Sequence, residues 1–244
     1  MSARRQRCLT VHAERLHEAA VWHAVRRLLR RLERTGGRAT FLVSPLRASA
    51  ASVDLGPRLR ELVARGHEVG QHTHYYALVS GADRVSFEKR TDASPENVRR
   101  CLDHDYGRLL AAGLRPRGFV AGAWAIHDTA RDWLVEHGFE YDLSFRSFPL
   151  GYDNPAAAPG DGCDGPFVRG GLVTLPTTAT LALALRRALA RRERVHEVVY
   201  VHDYDLIATR GRLLLAALER VAGPAAWVTV GASEARRTAG RAAA

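Results

Sequence analysis

Lysine is almost missing from this chain: Lys89 is the only one, so the formal charge of +10 rests on arginine. A strong basic excess suggests nucleic acid or an anionic membrane as partner. Here the arginines run along predicted helices, as Arg26, Arg27, Arg30, Arg31 and Arg34 do, and gather with aromatics in no one segment. Compositional bias towards Ala and Arg explains that pattern equally well, so neither a nucleic acid nor a membrane is expected as partner. An anionic or phosphorylated substrate stays compatible, because guanidinium matches phosphate geometry. Long apolar runs are also missing, and no stretch reaches the ~20 residues that a membrane-spanning helix needs. Residues 1–7 are basic, but the longer apolar run and small-residue cleavage site of a secretory leader do not follow, which makes a cytoplasmic location the expectation. Cys8, Cys101 and Cys163 form no CxxC pair and no metal-ligand spacing, so isolated reduced thiols are expected. The chain contains no P-loop, no dinucleotide-binding GxGxxG and no GxSxG elbow, which leaves nucleotide-dependent and serine-triad chemistry without support.

What the chain does have is an ordinary globular composition, 46% hydrophobic and 25% charged over 244 residues, enough for one large α/β domain with a well-buried core. One domain over residues 1–244 is expected, with an Ala/Arg-rich tail at 232–244 that frays. Apolar periodicity and turn residues predict strands at 8–11, 39–43, 67–70, 118–121, 141–144, 172–175, 197–201 and 227–230. Helices are predicted at 22–34, 57–65, 95–112, 129–137, 179–192 and 211–221, several of them closed by Gly. Ser94 is the expected N-cap of the third, with Pro95 at its first position. Residues 148–164, rich in Pro, Gly, Asp and Asn, read as a loop. Alternating strands and helices favour a parallel sheet with right-handed crossovers, and the strand count suits a barrel-like closure. In such barrels chemistry sits at the C-terminal ends of strands.

Three strand ends carry reactive groups: His12-Ala13-Glu14, His72-Thr73-His74-Tyr75-Tyr76 and His202-Asp203-Tyr204-Asp205. His72 and His74 are one residue apart in an extended segment, so both imidazoles point to one side and can chelate one divalent ion. Neutral imidazole suits zinc, with cobalt, nickel or manganese as alternatives. His12 is a third ligand or a base. Glu14 is a ligand or the general base that takes a proton from water acidified by the ion; a first-turn carboxylate favouring the helix dipole is the plainer alternative. His202 can protonate a leaving amine, with Asp203 and Asp205 to orient it. Among the remaining histidines, His127 follows Trp124 at a loop start within reach of the site, whereas His104, between Asp103 and Asp105, reads as solvated.

Taken together, these segments resemble the polysaccharide deacetylases of the NodB-homology type, similar to carbohydrate esterase family 4. Leu9-Thr10-Val11-His12-Ala13-Glu14 lies where that family has its first, Asp-bearing motif. Residues 39–43 followed by Leu62 to Thr73 resemble the second, Arg117 to Trp124 the third, and Tyr200-Val201-His202-Asp203-Tyr204-Asp205-Leu206 the last, whose His is the family's catalytic acid. The Leu134 to Asp142 stretch is also family-like, and the resemblance spans roughly residues 8–230. It implies a distorted (β/α) barrel and metal-assisted removal of an N-acyl group, usually acetyl, from an amino sugar. The family holds its metal with one Asp and two His and uses a second Asp as base. Here the two Asp positions read His12 and Ala13, the second metal His falls on Tyr76, and the third motif's Arg and Pro are Val120 and Gly122. His72 and His202 alone carry over directly. The compact HxH beside HxE favours a rebuilt site, with metal on His12, His72 and His74, catalysis by Glu14 and His202, and Tyr76, Trp124, His127, Asp203 and Asp205 around a small amino-sugar substrate. The rival expectation is a glycan- or metabolite-binding protein on the same fold that has lost the deacetylase site.

Overall fold

The helix after the first strand buries Val21, Trp22, Ala24, Val25, Leu28, Leu29 and Leu32, the three-to-four-residue spacing of one apolar stripe. It is α1 (Ala19–Arg34), following β1 (Gln6–Ala13). The structure is a computed structural model that describes residues 6–76, 92–148, 165–190, 196–222 and 227–233. Lys89, Cys163, residues 1–5, nearly all of the 148–164 loop and the tail beyond Ser233 lie outside the described residues. The remaining elements are β2 (Thr40–Val43), α2 (Leu46–Ala50), α3 (Gly56–Ala64), β3 (Glu68–Thr73), α4 (Pro95–Ala111), β4 (Gly118–Ala121), α5 (Asp128–Glu136), β5 (Tyr141–Asp142), β6 (Phe167–Arg169), β7 (Leu172–Thr174), β8 (Ala179–Thr180), α6 (Leu181–Leu189), β9 (His196–His202), α7 (Ala208–Ala222) and β10 (Trp227–Val228).

One sheet runs β6-β7-β5-β4-β3-β2-β1-β9-β8, with β10 beside β1. Every pairing is parallel except β6 with β7. The sheet curls, and no pairing among the described residues joins β8 to β6, which makes it a half-barrel of the distorted (β/α) type expected. Its outer face buries Leu9, Val11, Phe41, Val43, Val199 and Val201 with α1, and Phe119 and Ala121 with α4 and α5. Its concave face packs Cys8, Leu42, Val120, Tyr141, Leu143 and Val198 together. That interior is tight enough to dictate glycine: a Cβ on Gly118 would stand 2.0 Å from the Tyr141 ring. Among the described residues no helix is long and apolar enough to cross a membrane.

At three element ends that differ from expectation, a specific hydrogen bond accounts for the difference. Ala179 and Thr180 pair with β9, and α6 begins only after Thr180 Oγ1 accepts from the Leu183 amide at 3.1 Å. The strand expected at 141–144 shortens because the Ser144 amide turns to Asp142 Oδ1 at 2.8 Å. The one expected at 227–230 ends early because the Val230 amide donates to Thr40 Oγ1 at 2.9 Å. The α4 cap is as expected, with Ser94 Oγ accepting from the Asn97 amide at 3.4 Å. Cys8 and Cys101 are buried free thiols, and burial pushes each up to about 12.

Candidate metal centre

Strand register decides which side chains share the mouth of the half-barrel. His12 of β1 lies opposite His202 of β9, and His72 of β3 lies opposite Val120 of β4. In parallel strands, registered residues face the same way. His72 is two residues beyond Gly70, which pairs with Leu42, which in turn pairs with His12. All three imidazoles therefore enter the concave face at the C-terminal end of the sheet.

His72 is buried, and its Nδ1 lies 3.0 Å from the Val120 carbonyl. A carbonyl only accepts, so Nδ1 carries the proton and Nε2, the atom that a metal would take, faces the mouth. That Nε2 is 3.1 Å from His74 Nε2 and 3.5 Å from Glu14 Oε1, while His74 Nε2 is 3.3 Å from the same oxygen. A tetrahedral ion bound at about 2.0–2.1 Å by N and O ligands separates its donors by about 3.3–3.4 Å. The observed triangle matches, so these residues fit a zinc-sized divalent cation. Glu14, His72 and His74 are the only such donor group among the described residues. The third donor is thus Glu14, the sequence candidate for base, and His12 lies just outside the triangle. The His12 ring is 5.0 Å from that of His72 and 5.6 Å from that of His202, and its Nε2 is buried without a hydrogen-bond partner.

The charges agree with this donor set. Burial pushes the Glu14 carboxyl up, but the adjoining imidazoles of His72 and His74 outweigh it and hold the group well below the usual carboxylate range. Burial lowers His74, and Glu14 only partly offsets this, so the ring is neutral and able to ligate at neutral pH. Burial, with the neighbouring His72 and His202, pulls His12 well below its ordinary value.

The supporting residues come from other strand ends. Asp203 is buried and accepts the Arg15 amide at 2.7 Å and the Tyr204 amide at 2.9 Å, tying the loop that carries Glu14 to the loop after β9. Burial pushes its carboxyl up to about 6 despite those amides. Asp205 Oδ2 is 3.5 Å from His202 Nδ1 and accepts the His202 amide at 3.3 Å, so Asp205 orients the imidazole whose Nε2 stands 3.9 Å from Glu14 Oε1. Tyr76 stacks on His74 with centroids 5.0 Å apart and planes 1° from parallel. Trp124 is buried, donates from Nε1 to Thr177 Oγ1 at 3.2 Å and packs 5.5 Å from His12. His127 goes elsewhere: its ring meets Tyr75 edge-on at 5.4 Å, and it joins no donor group. His104, expected to be solvated, bonds Asp105 at 3.0 Å; Asp105 is buried and accepts from Thr73 Oγ1 at 2.9 Å, bracing the residue between His72 and His74. Two site residues were not among the sequence candidates: Tyr200, which lies in the last family-like segment and is 5.2 Å from His12 ring to ring, and Arg47, 3.9 Å from Glu14 Oε2.

No protein-family model matches the chain, and no curated protein matches it. Solved structures do. A protein of Mycobacterium smegmatis described as a polysaccharide deacetylase superposes with a TM-score of 0.66 at 19% identity, over 100% of this chain and 93% of that one. The chain has the polysaccharide-deacetylase fold. A family 4 carbohydrate esterase from Streptomyces lividans, solved with acetate, shares that fold at TM-score 0.52 and 14% identity, covering 91% of this chain and 88% of its own. So does a CE4 family pseudoenzyme from Bacillus anthracis, at 0.55 and 13%, covering 94% of this chain and 64% of its own. Identities this low speak to the fold alone, and the fold hosts both a carbohydrate esterase and a pseudoenzyme.

Proposed function

We propose that this chain is a metal-dependent hydrolase that removes an N-acyl group, most simply acetyl, from a small amino-sugar-containing substrate. The observation that carries the reading is the triangle of Glu14 Oε1, His72 Nε2 and His74 Nε2, with edges of 3.1, 3.3 and 3.5 Å. A divalent ion held there, zinc first and cobalt, nickel or manganese as alternatives, supplies a Lewis acid for the acyl carbonyl and makes water easier to deprotonate. Glu14 acts as an anionic ligand in this scheme. The role of base passes to His12, whose buried Nε2 has no other partner and which burial keeps in the neutral form. His202, held by Asp205, returns a proton to the amine as the C–N bond breaks. Trp124 and Tyr200 wall the mouth beside His12, and Tyr76 caps His74. A cytoplasmic setting remains part of the proposal.

The test is metal content and acetate release from N-acetylated amino sugars, with and without added zinc. The wild-type chain should hold about one ion and release acetate only when loaded; the His72→Ala/His74→Ala variant should do neither. Unchanged metal content in that variant sinks the reading. The similarity to a pseudoenzyme supports a second reading, a glycan- or metabolite-binding protein without catalysis. Sugar binding with no acetate release in the zinc-loaded protein selects it.

A further inference from the structure

The turn after β4 makes an unusual approach to the donor set. A Cβ built on Gly122 would lie 2.3 Å from His74 Nδ1, 2.5 Å from its Cγ and 2.8 Å from its Cε1. Its three nearest atoms are thus all in one imidazole. On the other hand, Tyr76 stacks parallel on the same ring at 5.0 Å. The next two residues, Ala123 and Trp124, have φ of 53° and 57°, the left-handed region that residues with a Cβ rarely adopt. Such strain persists only where surrounding structure enforces it. Here Trp124 is anchored through Nε1 to Thr177.

We infer that Gly122 is a positioning residue for His74: the bare backbone of residue 122 and the Tyr76 ring hold the imidazole where its Nε2 completes the triangle with His72 and Glu14. The backbone at residue 122, just after β4, does not itself demand glycine, because Gly122 is not among the glycines with positive φ. The requirement comes from the His74 ring. The ligand served is a divalent cation, so the inference rests on the metal reading above, but the contact between residues 74 and 122 stands independently of it.

The experiment is a double-mutant cycle of Gly122→Ala with His74→Ala, read by thermal unfolding of the metal-free proteins and by calorimetric titration with zinc alone. In the metal-free proteins, Gly122→Ala should lower Tm, and adding His74→Ala should restore it to the level of His74→Ala alone, because removing the imidazole makes room for the methyl. In the zinc titration, Gly122→Ala should weaken binding at least 10-fold, and the double variant should bind no worse than His74→Ala. If Gly122→Ala alone fails to fold while the double variant folds, the clash with His74 is supported. If both fail, or if the two effects on Tm or on affinity simply add, the inference is overturned. If wild type binds no zinc, the metal reading falls while the Tm cycle still decides the contact.

Discussion

Replacing Glu14 by Gln is the sharpest perturbation of the proposed centre, because it keeps the shape of the side chain and removes the only anion of the donor triangle. Groups one step removed from a metal are worth about 10–100-fold in affinity, so a direct anionic donor should be worth at least about 100-fold. With zinc at 100 times the wild-type Kd, binding stabilises the folded chain by about 2.7 kcal/mol. At the same concentration, a variant bound 100-fold more weakly gains only about 0.4 kcal/mol. For a chain of this length each kcal/mol moves Tm by roughly 2–4 °C, so zinc should raise the wild-type Tm by roughly 5–11 °C and that of Glu14→Gln by roughly 1–2 °C. The assay is thermal unfolding followed by circular dichroism, with and without zinc, after removal of metal. Equal zinc shifts in the two proteins would mean that Glu14 is no ligand, and the argument from donor spacing would be refuted.

Other outcomes follow from the same geometry. His202→Ala should cut acetate release about 10²–10⁴-fold, the range for a general acid, and leave zinc affinity within a few-fold; a large loss of zinc would make His202 a ligand instead. Gly118→Ala pushes a methyl into the Tyr141 ring and should destabilise by about 1–3 kcal/mol or more in urea unfolding, whereas an unchanged midpoint would contradict the packing of the concave face. Burial raises the Asp142 carboxyl from 3.8 to about 6, so the folded chain holds this proton more tightly than the unfolded one. The associated stability is fully present below pH ~4 and is lost as pH rises towards ~6, on the order of 3 kcal/mol in all. Asp142→Asn should remove that part of the pH dependence and stabilise the chain at pH 7; an identical pH profile for variant and wild type would refute the buried-carboxyl account.

Much of the fold was legible because local pattern and tertiary role coincide. The stripe Val25, Leu28, Leu29 and Leu32 reads as a helix and buries as one, and the Ser94-Pro95 start of α4 is where expected. The short elements were not legible. The five residues of α2 and the two of β8 carry too little periodicity, and pairing with β9 rather than local propensity makes Ala179 and Thr180 a strand. The site divides in the same way. The HxH spacing announced His72 and His74 because a two-residue period is a property of the strand itself. Nothing local distinguishes Glu14 from His12 as the third donor. That depends on where the loop after β1 is tied, and the tie is Asp203, nearly two hundred residues away along the chain.

From its sequence alone this chain determined an α/β barrel-like fold, the strand ends that bear imidazole and carboxylate, and the chemistry those groups can do, since these follow from side-chain identity and short-range period. The tertiary structure decided which oxygen completes the triangle, that His12 stays outside it with an unpartnered nitrogen, that His127 packs against Tyr75, and that Gly122 must lack a side chain. Each of these is a contact of a few ångströms between segments far apart in the chain, set by strand register and loop closure rather than by any residue's own preference.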